Sequence, residues 1–309
     1  MKNKNVLVTG GGGMVAQQLV RLLRERGSNV TTVDLPTAGV SADLQGDLRD
    51  RSFCKEIIKG QDIVFNLAGL KGSPKRCQEA PGTFSVPQVQ FGANMAEICC
   101  NSELEWYLYT SSYGVYGEAD VMREDDVWQT YPSEHDWYPG WAKRMGELNV
   151  QAYMKENGKN NCSIVRPANV YGPFDNAIFN EWAMVVPSLI KKGYHDDVLN
   201  VWGDGSPIRD FIYSEDVALG MLHMVENKVT EPVNLGSGVG VTIKEVAEVI
   251  SDYFDKEIIW DVSKETGDKK RLMSTERAES YGFKPQTSLK DGIIKTIEWY
   301  KKELQNASR

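Results

Sequence analysis

Val6-Leu7-Val8-Thr9-Gly10-Gly11-Gly12-Gly13-Met14-Val15-Ala16 decides the fold. Its first four residues are β-branched or aliphatic, as a strand buried on both faces requires. Four glycines follow. Val15, Leu19, Leu22 and Leu23 then recur at helical spacing up to Gly27, a plausible helix stop. Strand, glycine turn and helix in this order fit the pattern GxxGxxG, with Ala16 in the third place. Small residues let the backbone approach a pyrophosphate, whose charge sits at the positive end of the helix. A plain strand–helix turn does not need four consecutive glycines. The spacing therefore predicts a dinucleotide loop in which Gly10, Gly13, Met14 and Val15 contact the cofactor.

The next strand, Val30-Thr31-Thr32-Val33-Asp34, ends in an acid. A carboxylate at this place accepts hydrogen bonds from both ribose hydroxyls and repels a 2′-phosphate. Leu35-Pro36-Thr37-Ala38 offers no adjacent arginine to offset that repulsion. The expected cofactor is NAD rather than NADP.

Gln61–Leu67, Glu105–Thr110 and Ser163–Arg166 read as further strands. Apparent helices lie near Asn94–Cys100 and around Lys143. Strands alternating with helices predict an α/β fold: a Rossmann-type, doubly wound parallel sheet covered on both faces. After Tyr171-Gly172-Pro173 the rhythm loosens, through a Gly203–Pro207 turn and a Thr242–Phe254 helix. The expected organisation is a dinucleotide-binding domain over 1–172 and a smaller, discontinuous C-terminal substrate-binding domain over 173–309. Val233-Asn234-Leu235 returns to the main sheet, so the first domain is rejoined by about 207–240.

With 309 residues and a formal charge of −8, the chain is long enough for a sizeable core and too acidic for a dominant nucleic-acid surface. The five cysteines form no CxxC pair and no metal-ligand spacing with the three histidines, so no metal site is expected. An odd cysteine count without a secretory leader suggests free thiols in a reducing cytoplasm. Apolar runs stop well short of the ~20 residues of a membrane span.

Several motifs together resemble the extended short-chain dehydrogenases that act on nucleotide sugars, the NAD-dependent epimerase/dehydratase family. They are the glycine loop, Asn66-Leu67-Ala68-Gly69, Ser111-Ser112-Tyr113-Gly114-Val115-Tyr116-Gly117, Lys143, Arg166–Pro173 and Trp202–Phe211. Within the family the likeness is greatest to the GDP-fucose synthase-like enzymes, through Val186–Ile190, Trp202–Phe211, Gly267–Leu272 and Trp299-Tyr300. The resemblance implies further cofactor contacts from Asp47, Leu48, Leu67, Ala68, Gly69, Lys143 and Pro167. By the same resemblance Ser112 hydrogen-bonds the reacting sugar oxygen, and Lys143 holds the nicotinamide ribose. Asn169 and Arg209 contact the sugar diphosphate, while Tyr113, Val186 and Trp202 line the substrate pocket. A GDP-sugar is the favoured partner. A homodimer is expected through the Asn94–Cys100 and Lys143 helices. Read structurally instead, Ser112 is a strand-end hydroxyl, Asp47 a helix cap and Arg209 a surface partner of Asp210.

Three positions depart from the family's pattern. The catalytic tyrosine of YxxxK is Pro139, within Trp137-Tyr138-Pro139-Gly140-Trp141-Ala142-Lys143. The cysteine and histidine of fucose-synthase epimerisation are Gly114 and Met184, neither able to exchange a proton at a sugar carbon. The acid–base pair of the 4,6-dehydratases is also absent beside Ser112. Removing a hydroxyl proton still requires a carrier. Tyr138 is the nearest phenol, with Tyr113 and His135 behind it. On a continuous helix five residues put Tyr138 off the face of Lys143, but Pro139 suits a first turn, which lets Tyr138 lie just before the helix. Three functions stay open: an NAD-dependent epimerase oxidising the sugar transiently at C4, a 4-ketoreductase or dehydrogenase, and a nucleotide-sugar binding protein that has lost catalysis.

Overall fold

The computed structural model describes residues 1–38, 41–70, 74–179, 183–264 and 268–307; Gly267 of the fucose-synthase-like run lies outside them. The first half alternates as the sequence requires. Its elements are β1 (Asn5–Thr9), α1 (Met14–Glu25), β2 (Asn29–Asp34), β3 (Leu44–Gln45), α2 (Arg51–Ile57), β4 (Ile63–Asn66), α3 (Pro74–Glu79), α4 (Pro81–Cys100), β5 (Trp106–Thr110), α5 (Trp137–Asn157) and β6 (Cys162–Pro167). The second half continues with β7 (Asn169–Tyr171), α6 (Val185–His195), β8 (Leu199–Trp202), β9 (Ile208–Tyr213), α7 (Ser214–Glu226), β10 (Val233–Leu235), β11 (Gly240–Thr242), α8 (Ile243–Phe254), β12 (Ile258–Asp261), β13 (Lys270–Arg271), α9 (Glu276–Ser280) and α10 (Leu289–Ala307).

The main sheet has seven parallel strands in the order β10-β6-β5-β4-β1-β2-β3. This is the doubly wound order, extended by β10 at one edge. Alternation along the strands divides its side chains between two cores. Val6, Val8, Phe65 and Leu108 pack under Leu19 and Leu23 of α1 and Met221 and Leu222 of α7. Leu7, Val64 and Tyr107 pack against Met95 and Cys99 of α4 and Val150 of α5. Each fully buried aliphatic side chain contributes about 1.5–3 kcal/mol relative to exposure. Helix α1 ends before left-handed Gly27, with φ +79°, and α8 begins with a capping box between Thr242 and Glu245.

A third core holds the C-terminal part: Leu199 and Val201 of β8, Phe211 and Tyr213 of β9, Val246 and Ile250 of α8, Ile293 and Ile297 of α10. There β9 is flanked by β11, β13 and β7, while β8 pairs with β12. The expected returning segment, 207–240, divides between the two units. Its β9 belongs to the small sheet, whereas α7 and β10 join the layers of the large one.

Strands β1, β4, β5 and β6 are parallel, so the loops that follow them emerge at one edge. The chain winds from β1 outward to β3, then returns to β4 and winds the other way. The crevice above β1 and β4 is therefore the switch point where such sheets bind ligands. All five cysteines are buried. Among the described residues no group of His, Cys, Asp and Glu is arranged to hold a metal, and no helix is long and apolar enough to cross a membrane.

Candidate active site

The crevice is built first from backbone. Gly10 leaves β1 with φ +67°, and a methyl group added there would lie 3.0 Å from the Cα and N of Ala68. Only glycine meets both demands. Gly13 precedes α1 without any side-chain cap, which leaves the first helical N–H groups, from Met14 and Val15 onward, unanswered by the side chains of the described residues. Asp34 is fixed beside them, accepting from Gly12 N at 2.9 Å and Leu35 N at 2.8 Å. A carboxylate offers about four lone-pair positions, so capacity remains for a ribose. Leu48 is buried beneath this rim. Asp47 is held by Arg49 through its backbone N and Nε, each at 2.8 Å, and that arginine keeps its carboxyl below the usual range. The cap of α2 is Asp50, accepting from Ser52 N and Phe53 N, not Asp47.

Lys143 continues the crevice. Its Nζ donates to Thr110 O at 2.8 Å and lies 3.5 Å from where a methyl on Gly69 would be, so Leu67-Ala68-Gly69 and Lys143 line one path. Burial pushes the ammonium down to about 8, against the pull of Glu147. Pro167 ends β6 in register with Leu235. Ser112 follows β5 half-buried, its Oγ accepting from Gly114 N at 3.1 Å. Beneath this floor Glu147 and Arg166, both buried, form a two-point pair at 2.9 and 2.7 Å, and Ser111 Oγ donates to the same carboxylate. The pair anchors α5 to β6.

Tyr138 does not lie ahead of the helix. Trp137 already has helical angles, φ −48° and ψ −59°, and α5 starts there, with Pro139 tolerated in its first turn. At about 100° per residue, five residues set Tyr138 roughly 140° away from Lys143 around the helix. Its side chain is 46% exposed, and its hydroxyl bonds no described residue. Of the other two candidates, Tyr113 is half-buried and its phenol is pushed up to about 12 by burial and by Asp136. His135 Nε2 lies 3.5 Å from Asp268 Oδ1.

The small sheet presents two arginines to the same side. Arg209 of β9 and Arg271 of β13 are register partners. Arg271 reaches Asp136, Asp268 and Ser133 Oγ and lies 5.0 Å over the ring of Tyr113. Among the described residues Arg209 bonds only the carbonyl of Ile208 at 2.8 Å, and burial together with Arg271 lowers its proton affinity. It is no surface partner of Asp210. That carboxylate is 1% exposed and accepts from Ser237 N, Ser237 Oγ and Gly238 N. Asn169 Nδ2 donates to Asp210 O at 2.9 Å. Trp202 is 61% exposed, with the ammonium groups of Lys192 and Lys264 each 5.9 Å from its ring centre. Val186 is buried in the third core, so its side chain supports α6 rather than facing a ligand.

The model of the NAD dependent epimerase/dehydratase family matches residues 6–236. The chain belongs to this family. Within it, the chain is 31% identical to the GDP-L-fucose synthase of Sinorhizobium fredii, over 96% of each chain. The solved UDP-N-acetylglucosamine 4-epimerase of Methanobrevibacter ruminantium superposes with a TM-score of 0.87 at 25% identity, covering 98% of this chain and all of that one. A GDP-L-fucose synthetase of Naegleria fowleri bound to NADP gives 0.85 at 25% identity, covering 99% and 95%. The cofactor of the epimerase/dehydratase family is NAD, and the crevice fits it. A glycine too tight for any side chain, an uncapped helix start and a buried ammonium lie along one edge of the sheet.

Around the crevice stand residues that the sequence reading did not single out. Gln88 of α4 is buried and accepts from Leu70 N at 3.2 Å, steadying the turn after β4. Arg271 lay inside a quoted motif, but its partners are 135 residues away at Asp136 and 3 away at Asp268. Asp136 reads in sequence as an ordinary residue before a helix. In the structure it stands at the N-cap of α5 yet makes no capping bond.

Proposed function

We propose that this protein is an NAD-dependent nucleotide-sugar epimerase that acts by transient oxidation at the sugar C4. The observation that carries the reading is Arg209, a half-buried guanidinium in direct ion pairing with no carboxylate among the described residues, while Asp268 and Asp136 act on it only from a distance. It shares its electrostatic surroundings with Tyr113, the neighbour of Ser112. Burying an unpaired cation is unfavourable, and a diphosphate supplies the missing charge with geometry suited to arginine's fork. Asn169, on the strand beside β9, extends that anion site. Trp202 offers a flat face for the base, flanked by two lysines.

Gly10, Gly13, Met14 and Val15 would hold the pyrophosphate of NAD, with Asp34 on the ribose hydroxyls and Asp47 and Leu48 about the adenine. Leu67, Ala68, Gly69, Lys143 and Pro167 would hold the other half. The cofactor supplies hydride acceptance and return. The protein must orient the sugar, keep water out and move one proton. Ser112 Oγ bonds the reacting oxygen in this reading, and Lys143 adds positive charge nearby. Two side chains at the start of α5 compete to carry the proton, the phenol of Tyr138 and the carboxylate of Asp136. Val86 and Val89 of α4 and Leu148 of α5 are exposed on a pair of helices packed side by side, which supports dimerisation through them. A GDP-sugar is favoured by the similarity to a GDP-L-fucose synthase.

The test is to purify the protein, identify any retained cofactor, and add GDP- and UDP-sugars while following reduced-nicotinamide absorbance and the sugar product. Retained NAD with inversion at C4 supports the epimerase. Exchangeable cofactor with net reduction makes the protein a ketoreductase, and binding without turnover makes it a binding protein.

A further inference from the structure

We infer that the carboxylate of Asp136 receives the proton of the sugar hydroxyl, in place of the tyrosine that Pro139 displaces. The inference rests on the proposed alcohol oxidation and supplies the group it lacks. Asp136, Gly140 and Lys143 are spaced i, i+4 and i+7, which puts them on one face of α5. That face lies against the Ser112–Gly114 turn. A methyl on Gly140 would meet Gly114 O at 2.3 Å, and a methyl on Gly114 would meet Asp136 Cγ at 3.3 Å and Oδ1 at 3.5 Å. The carboxylate thus occupies the space into which a side chain at position 114 would project, beside the turn whose Gly114 N bonds Ser112 Oγ.

Two further observations point the same way. An aspartate at a helix N-cap ordinarily accepts from the second or third helical N–H; Asp136 forgoes that bond. Its Oδ2 is taken by Arg271, which fixes its direction, while Oδ1 bonds no described residue. The result is a carboxylate oriented by a guanidinium, 18% exposed, with one oxygen unengaged by any described residue.

The chemistry balances with what the reading supplies. As the sugar C–H bond breaks, its hydride leaves with both electrons to the bound NAD. The O–H bond breaks, its proton passes to Asp136 Oδ1, and the oxygen's electron pair completes the carbonyl. Return of the hydride to the opposite face, with the proton restored from the carboxylic acid, gives the epimeric alcohol.

The experiment compares the full-length protein with Asp136→Asn, Asp136→Ala and Tyr138→Phe, each characterised for turnover and for binding of NAD, of a GDP- or UDP-sugar and of GDP or UDP alone. Asp136→Asn should lower kcat by at least about 100-fold, with KM and NAD affinity nearly unchanged. Formate should partly restore turnover to Asp136→Ala, a rescue that a merely structural role does not give. Tyr138→Phe should stay close to the unmodified protein. A loss of kcat in Tyr138→Phe as deep as that in Asp136→Asn would give the proton to the phenol and overturn the inference. Asp136→Ala should also weaken the nucleotide sugar several-fold while leaving the free nucleoside diphosphate unaffected. Retention of a tenth or more of kcat in Asp136→Asn, or a loss confined to KM, overturns the inference. If the unmodified protein turns over no nucleotide sugar, the epimerase reading fails. The contrast between sugar and free diphosphate in Asp136→Ala then still decides whether this carboxylate touches the sugar, and an unchanged contrast sinks it.

Discussion

Arg209 and Arg271 stand opposite each other on neighbouring strands, and among the described residues only Arg271 forms ion pairs. Arg271 lies between Asp136 and Asp268, so its position is fully determined by the fold. Arg209 faces the same surroundings with a carbonyl as its one hydrogen-bond partner among the described residues. In the proposed function Arg271 is the structural cation and Arg209 the one left to meet the ligand.

Arg209→Ala should therefore cost little stability and much ligand affinity. Losing a charge-assisted contact to a diphosphate amounts to about 1.5–3 kcal/mol, or roughly tenfold to more than a hundredfold in the Kd of a nucleotide sugar. NAD affinity should not change. Calorimetric titration with a GDP- or UDP-sugar checks this, and unaltered affinity would remove the diphosphate from this site.

Cofactor choice should follow Asp34. Its carboxylate is fixed by Gly12 N and Leu35 N, so it cannot easily turn away from a 2′-phosphate. NAD should bind at least about tenfold more tightly than NADP, the cost of setting a phosphate against a fixed carboxylate. Asp34→Ala combined with Leu35→Arg should reverse the order. Equal binding of the two cofactors by the unmodified protein contradicts the assignment. The NADP-bound relative from Naegleria fowleri shows that the wider fold accommodates either cofactor.

Lys143 predicts a pH dependence whose sign is set by burial. Its ammonium titrates near 8 in the fold against an ordinary 10.5. Below about 8 it is charged in both folded and unfolded chains. Between about 8 and 10.5 the unfolded chain holds the extra proton, so this group makes stability rise with pH in that window. Cofactor binding should run the other way. As pH rises through 8 the free protein loses the charge beside the ribose, and NAD affinity should fall. Fluorescence titration from pH 7 to 9.5 should show the decline, and Lys143→Met should flatten it.

The first half of the fold was legible because its signals are local. Four glycines between a β-branched run and a 3.6-residue repeat have one economical reading, and an acid ending the second strand refines it. The C-terminal half was less so. Pairing of β9 with β7, β11 and β13 depends on contacts far apart in sequence, and nothing in Ile208–Tyr213 says which sheet it joins. The site follows the same division. Asp34, Ser112, Lys143 and Arg209 of the proposed site stand in motifs that the sequence displays. Asp136 does not stand out, because an acid before a helix reads as a cap, and only the three-dimensional surroundings show that it caps nothing. Val186 was placed on a ligand by resemblance, whereas its side chain fills the third core.

Pro139→Tyr probes the vacancy in the YxxxK pattern directly. Position 139 is four residues before Lys143, so a phenol there falls close to the lysine's face, where Tyr138 does not. It is also three residues after Asp136, within reach of the carboxylate on the helix surface. Proline in the first turn contributes no needed N–H, so the exchange should be tolerated, with a change in Tm of no more than a few degrees. In the unmodified background turnover should be preserved or raised, because Lys143 and Ser112 already stand ready for a phenol. In the Asp136→Asn background the same change should recover at least about tenfold of the lost kcat, a modest share of what general acid–base catalysis supplies. Recovery there, with none from Pro139→Phe, would show that only a proton carrier had been missing. Failure to recover in a protein that still binds NAD and nucleotide sugar would mean that Asp136 acts on the shape of the site, not on the proton.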